Sequence, residues 1–139
     1  MQKYRSRISG PLLDRIDIQL EVPALKMSEL TQESGMGESS ADIRNRVLKA
    51  RAVQKERFSG ARVYCNAQMT PKMLKRYCTM GSEAKDILRT AIEKLGFSGR
   101  AYDRVIKVSR TIADLQGSAE IGSNHVSEAI QYRGMDRMQ

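Results

Sequence analysis

The chain has 139 residues, 40% of them apolar and 29% charged, a balance that suits one soluble domain with a real core and does not stretch to two. Its 24 Lys and Arg against 16 Asp and Glu leave a net charge of +8, which favours a polyanionic partner such as nucleic acid or a nucleotide, or else marks a solvated basic surface. Two cysteines, Cys65 and Cys78, and one histidine, His125, are too few for a disulfide scaffold or a zinc site, so no metal is expected; no apolar run approaches the roughly 20 residues that span a bilayer and no signal peptide precedes the body, so no membrane partner is expected and the cytoplasm is the expected location.

Residues 1–25 differ in texture from the rest. Asp17-Ile18-Gln19-Leu20-Glu21-Val22 alternates polar and apolar with period two before Pro23, which predicts a strand. A lone strand cannot satisfy its own backbone donors and acceptors, so the expectation is the tail of a truncated upstream domain whose sheet lies elsewhere. Residues 26–38 include Gly35-Met36-Gly37, lack periodicity and predict a linker or mobile loop.

Residues 39–139 predict a helical bundle. Ser39-Ser40-Ala41-Asp42 resembles a capping box and opens a helix to about Phe58, with Gly60 beyond it. Thr70-Pro71 is an N-cap followed by proline at the first helical position, in a short helix expected to stop at Gly81. Ser82 opens the next, where Ala84, Ile87, Leu88, Ala91, Ile92 and Leu95 form an unbroken apolar stripe before Gly96. Ser98 begins a fourth, with Ala101, Val105, Val108, Ile112 and Leu115 on one face and Gly117 at its end. Ser123 is the expected cap of a last helix to about Tyr132, with Ile121 placed to staple its first turns.

Catalytic machinery is sparse. No G-x-x-x-x-G-K-[ST] loop is present to cradle phosphates, and His125 has no serine-elbow motif to serve. In Ile8-Ser9-Gly10-Pro11-Leu12-Leu13-Asp14-Arg15-Ile16-Asp17 the apolar residues anchor a backbone from which Arg15 either projects as a rigid, always-charged fork suited to phosphate or pairs with Asp14 or Asp17.

This run resembles the segment before the last core strand in the ComM-type (YifB, magnesium-chelatase-like) AAA+ ATPase family. Ser98-Gly99-Arg100-Ala101-Tyr102-Asp103-Arg104, continuing to Leu115, resembles the family's lid helix, and Ile121 through Arg133 its terminal helix. The resemblance implies a mainly α fold, the helical bundle lid domain of an AAA+ ATPase, with one N-terminal strand left from the truncated core. It implies that Arg15 is the arginine finger, reaching the γ-phosphate bound by a neighbouring subunit, and that Arg100 is sensor 2, with Arg104 as the fallback. It also implies ATP and Mg²⁺ as cofactors of the full-length protein, an upstream AAA+ core, and a homo-oligomeric ring, expected to be a hexamer, that remodels DNA by branch migration. The Walker A loop, the Walker B acids and sensor 1 would all lie upstream of Met1. The fragment alone is therefore expected to hold no cofactor and to hydrolyse no ATP.

Between Ser40 and Phe58, six basic residues face two acids, so this helix carries half of the net +8. Arg44, Lys49, Arg51 and Lys55 are candidate DNA contacts through phosphates, against the alternative of long basic stems covering apolar neighbours. Tyr64, Tyr77, Tyr102 and Tyr132 are not interleaved with basic residues in the manner of a stacking platform, which speaks against base readout. A stand-alone basic nucleic-acid-binding module, a protein-interaction bundle and a magnesium chelatase ATPase subunit are the competing readings.

Overall fold

A computed structural model describes residues 9–13, 15–24 and 37–133. Five helices follow a single helical turn at Gly10–Leu13: α1 (Ser40–Arg57), α2 (Pro71–Tyr77), α3 (Ser82–Leu95), α4 (Gly99–Leu115) and α5 (Ser123–Gln131), with a 3₁₀ turn at Asn66–Gln68 between α1 and α2. The fold is mainly α, as expected, and no sheet occurs among the described residues.

Local chemistry sets the helix starts. Ser39 Oγ accepts from Asp42 N–H at 3.1 Å, Thr70 Oγ1 from Met73 N–H at 3.4 Å and Ser98 Oγ from Ala101 N–H at 3.2 Å, each satisfying a donor that the first turn leaves open. α3 ends at Gly96 with φ +64°, a left-handed position that suits glycine. Two expected boundaries move. α2 stops at Tyr77 rather than running to Gly81, and Gly81 instead caps α3 with an extended backbone. α5 is capped by Gly122, not Ser123, because the His125 ring takes the capping role: its Nδ1 accepts from Gly122 N–H at 2.9 Å.

α4 is the centre of the bundle, touching α1, α2, the 3₁₀ turn and α5, while α3 packs on α5. The core gathers Phe58, Met69, Leu74, Leu88, Val105, Ile106, Ile112, Ile121, Val126 and Ile130, and each such aliphatic side chain stabilises the fold by about 1.5–3 kcal/mol. A short parallel bridge between Met80 and Ile121 joins the α2–α3 connection to the α4–α5 connection, with Ile121 N–H donating to Thr79 O at 3.3 Å. Cys78 is buried and burial pushes its thiol up to about 11, against a pull from Arg110 and Arg57; Cys65 is half-buried at the start of the 3₁₀ turn.

Asp17–Val22, expected to be a lone strand whose sheet lies elsewhere, pairs with no other strand among the described residues. The segment has no regular secondary structure and lies against the end of α5, where Gln19 N–H donates to Tyr132 O at 2.7 Å. Its alternation is also inverted relative to a core-facing strand: Gln19 is 8% exposed, whereas Ile18, Leu20 and Val22 are 49%, 62% and 80% exposed. The expected linker lies outside the described residues except at Gly37 and Glu38, where Glu38 pairs with Arg46.

Candidate functional site

The Arg15 segment lies against the first turns of α4 through Asp17 and Arg104. Arg15 stands exposed in the turn after the single helical turn, its N–H donating to Leu12 O at 3.0 Å; Asp14 lies outside the described residues. Two residues on, Asp17 pairs with Arg104 of α4 rather than with Arg15. Arg133, almost fully buried beyond α5, reaches back to donate to Ile16 O at 2.9 Å and sits over the Phe97 ring at 5.7 Å. Residues 16–19 are thus clamped on α4 by a charge pair and on the end of α5 by two backbone contacts. Beneath them a cavity of about 300 Å³ opens between Ile18, Val108, Ile112 and Tyr132.

Arg100 lies in the first turn of α4 and is exposed. Arg104, one turn later, is half-buried and committed to Asp17. Of the two arginines proposed to contact phosphate from the lid, the structure therefore leaves Arg100 facing solvent and uses Arg104 to hold the Arg15 segment.

The basic helix resolves into faces. Arg44, Arg51 and Lys55 follow spacings of seven and four and share one side of α1, while Lys49 falls well away around the helix. Arg51 and Lys55 border a groove between α1 and the chain from Phe58 to Tyr64, and Tyr64 stands on the opposite rim. Linear order does not show that neighbourhood, because the α1–α2 connection folds back on the helix that precedes it.

A buried charge network fixes α1 in place. Asp114 is fully enclosed on α4 and receives Arg57 of α1 at 2.5 and 2.7 Å, Asn66 of the 3₁₀ turn at 2.8 Å and Arg110 at 3.1 Å. Arg110, itself 1% exposed, spends its other nitrogens on Ser118 O at 2.6 Å and Ala119 O at 2.8 Å. Burial pushes the Asp114 carboxyl up, but hydrogen bonds from Arg57 and Asn66 and the charge of Arg110 outweigh it and hold the group below its ordinary value. Sequence reasoning missed this network. Its one visible trace is the Arg110–Asp114 pair four residues apart, flanking the apolar Ile112 and Ala113 of an otherwise amphipathic helix.

Among the described residues no group of three or more His, Cys, Asp or Glu side chains could hold a metal ion. No helix among them is long and apolar enough to cross a membrane.

Comparison with known proteins matches residues 37–133 to the family described as magnesium chelatase, subunit ChlI C-terminal, and residues 1–30 to magnesium chelatase, subunit ChlI. The chain is 44% identical over 138 residues to competence protein ComM of Haemophilus influenzae, covering 99% of this chain and 26% of that protein. It is 38% identical over 136 residues to YifB of Escherichia coli and 37% identical over 136 residues to YifB of Salmonella typhimurium, covering 98% of this chain and 26% of each relative. The chain thus spans about a quarter of the length of these curated relatives.

Proposed function

The chain belongs to the magnesium chelatase ChlI C-terminal family, in its ComM/YifB-like branch, and on that premise we propose that it is the helical lid of a cytoplasmic, ring-forming AAA+ ATPase that remodels DNA. The observation that supports a lid role is the clamp of residues 16–19 on α4 and α5, because it ties the position of Arg15 to the tilt of the helix that carries Arg100. A change in lid angle then moves both cations together.

Arg15 serves a neighbouring subunit. A guanidinium cannot lose its charge and offers a planar fork of donors, so at the rim of a nucleotide site it stabilises the negative charge that spreads over the transferred γ-phosphoryl group. Arg100 contacts the phosphates of its own subunit's nucleotide and reports its state to the bundle. In this reading the triphosphate loop and the Mg²⁺ ligands come from an upstream core, as the greater length of the relatives allows. Arg44, Arg51 and Lys55 supply phosphate contacts to DNA from α1; Lys49, on another face, belongs to a separate surface. A magnesium chelatase ATPase subunit is the second reading, favoured by the family descriptions matched over residues 1–30 and 37–133, and the extent of similarity to ComM ranks it below the first.

The test uses the full-length ring. Arg15→Ala is expected to abolish ATP hydrolysis while ATP still binds, and mixing with a subunit that lacks its own phosphate loop but keeps Arg15 is expected to restore activity in trans. Hydrolysis at the full rate by Arg15→Ala rings would sink the assignment.

A further inference from the structure

We propose that the groove between α1 and the chain from Phe58 to Tyr64 binds single-stranded nucleic acid, with Tyr64 stacking on an unpaired base and Arg51 and Lys55 holding the adjoining phosphates. The proposal rests on the reading that this family member handles DNA, and it names the strand state and the contact.

Composition and shape agree at this place. The groove has a volume of about 540 Å³, an apolar floor that includes Ala52, Phe58 and Val63, one wall carrying Arg51 and Lys55, and Tyr64 on the other. Among the described residues no carboxylate lines it. Arg44 extends the basic wall by two further turns of α1. A polyanion with flat apolar groups at intervals meets both walls at once, whereas a purely acidic segment would engage the cations and leave the floor and the tyrosine unused.

Both walls are held in place before any ligand arrives. Phe58 is 3% exposed and meets the Tyr77 ring edge-on at 5.6 Å, and the neighbouring Arg57 is locked to Asp114. On the other side Tyr64 N–H donates to Gln68 Oε1 at 2.7 Å, which fixes the backbone while the residue as a whole stays 72% exposed. The turn between the walls passes through Gly60 at φ +78°, a conformation that a side chain would strain. Ordering costs on binding therefore fall mainly on the nucleic acid.

Strand state follows from access. In a duplex the base faces are stacked on one another and closed to a side chain, so duplex DNA can offer this groove only its phosphates. A single strand can splay a base onto the tyrosine and keep its backbone along α1.

The experiment measures binding of the 139-residue chain to a fluorescent oligonucleotide of about 12 thymidines and to a duplex of the same length, from about 50 to 200 mM salt. Tyr64→Ala is expected to weaken single-strand binding by roughly 5- to 100-fold and duplex binding by less than about twofold, with Tyr64→Phe close to the unmodified chain. Arg51→Ala with Lys55→Ala is expected to weaken both and to flatten the salt dependence. Circular dichroism checks that each variant is folded. Single-strand binding unchanged by Tyr64→Ala but lowered by the arginine and lysine changes overturns the stacking site and leaves phosphate contact standing. Displacement of the oligonucleotide by a polyglutamate peptide of equal charge, at equal concentration, overturns it likewise. No binding of either nucleic acid at low salt overturns both the site and the DNA-contact part of the proposed function.

Discussion

Arg57 donates to both carboxylate oxygens of Asp114 across 57 residues of sequence, and this pair decides where the basic helix stands. α1 buries only Ala50 and Gln54 of its own length, so little apolar packing directs it. The fork of two hydrogen bonds sets both its distance from α4 and its rotation.

Asp114→Asn removes the charge and leaves Arg57 and Arg110 in the interior facing each other without their shared anion. A loss of about 3–5 kcal/mol is expected, measured by urea unfolding. A loss under about 1 kcal/mol would show that water reaches the cluster and screens it.

His125 predicts a pH response. Its ring is lowered from its ordinary 6.5, first by burial and then by the charge of Arg110, with Glu128 pulling the other way. Nδ1 accepts from Gly122 and Nε2 lies 2.8 Å from Gln116 Oε1, so the neutral ring with the proton on Nε2 satisfies both partners. The folded chain therefore binds fewer protons than the unfolded one between the two values, and the stability is present above 6.5 and lost as pH falls through the lower folded value. Thermal midpoints measured downward from pH 7 are expected to decline from about 6.5, with a smaller decline in His125→Gln. Asp114, also lowered, is separable because its contribution is lost only below the ordinary carboxyl value of 3.8.

Two glycines with opposite geometry make a matched pair. Gly96 sits at φ +64° and Gly81 at φ −65°, and an added Cβ would meet nothing within 4 Å at either. Any cost is backbone alone. Gly96→Ala is expected to destabilise by about 1–2 kcal/mol and Gly81→Ala to be neutral or slightly stabilising, by thermal unfolding. Equal effects would contradict the left-handed end of α3.

Asp17→Ala releases the N-terminal segment from Arg104. Because both groups are partly exposed, global stability is expected to change by less than about 1 kcal/mol. The Gln19 amide, which donates to Tyr132 O, is expected to exchange with solvent measurably faster. Unchanged exchange would mean that Arg133 alone holds the segment.

What could be read in advance follows the range of each interaction. Ser39, Thr70, Ser98 and Gly96 act on residues within one turn, so their helices were legible from neighbouring letters. Period two in residues 17–22 describes a face without naming its neighbour, and the segment docks on helix ends instead. Gly122 and His125 exchanged the capping role with Ser123 because a ring nitrogen three residues on can also accept, a signal too weak to outrank a serine. Arg57 with Asp114, and Tyr64 with Arg51, are brought together only by the packed bundle, so no spacing announces them.

The two cysteines differ in availability. Cys78 is enclosed and burial pushes its thiol up to about 11, so at neutral pH it is expected to react slowly with alkylating reagents. Cys65 is half-buried and adjoins Tyr64 in sequence. The unaltered chain is therefore expected to label first at Cys65, and one maleimide fluorophore there would report from beside the α1 groove without any engineered cysteine.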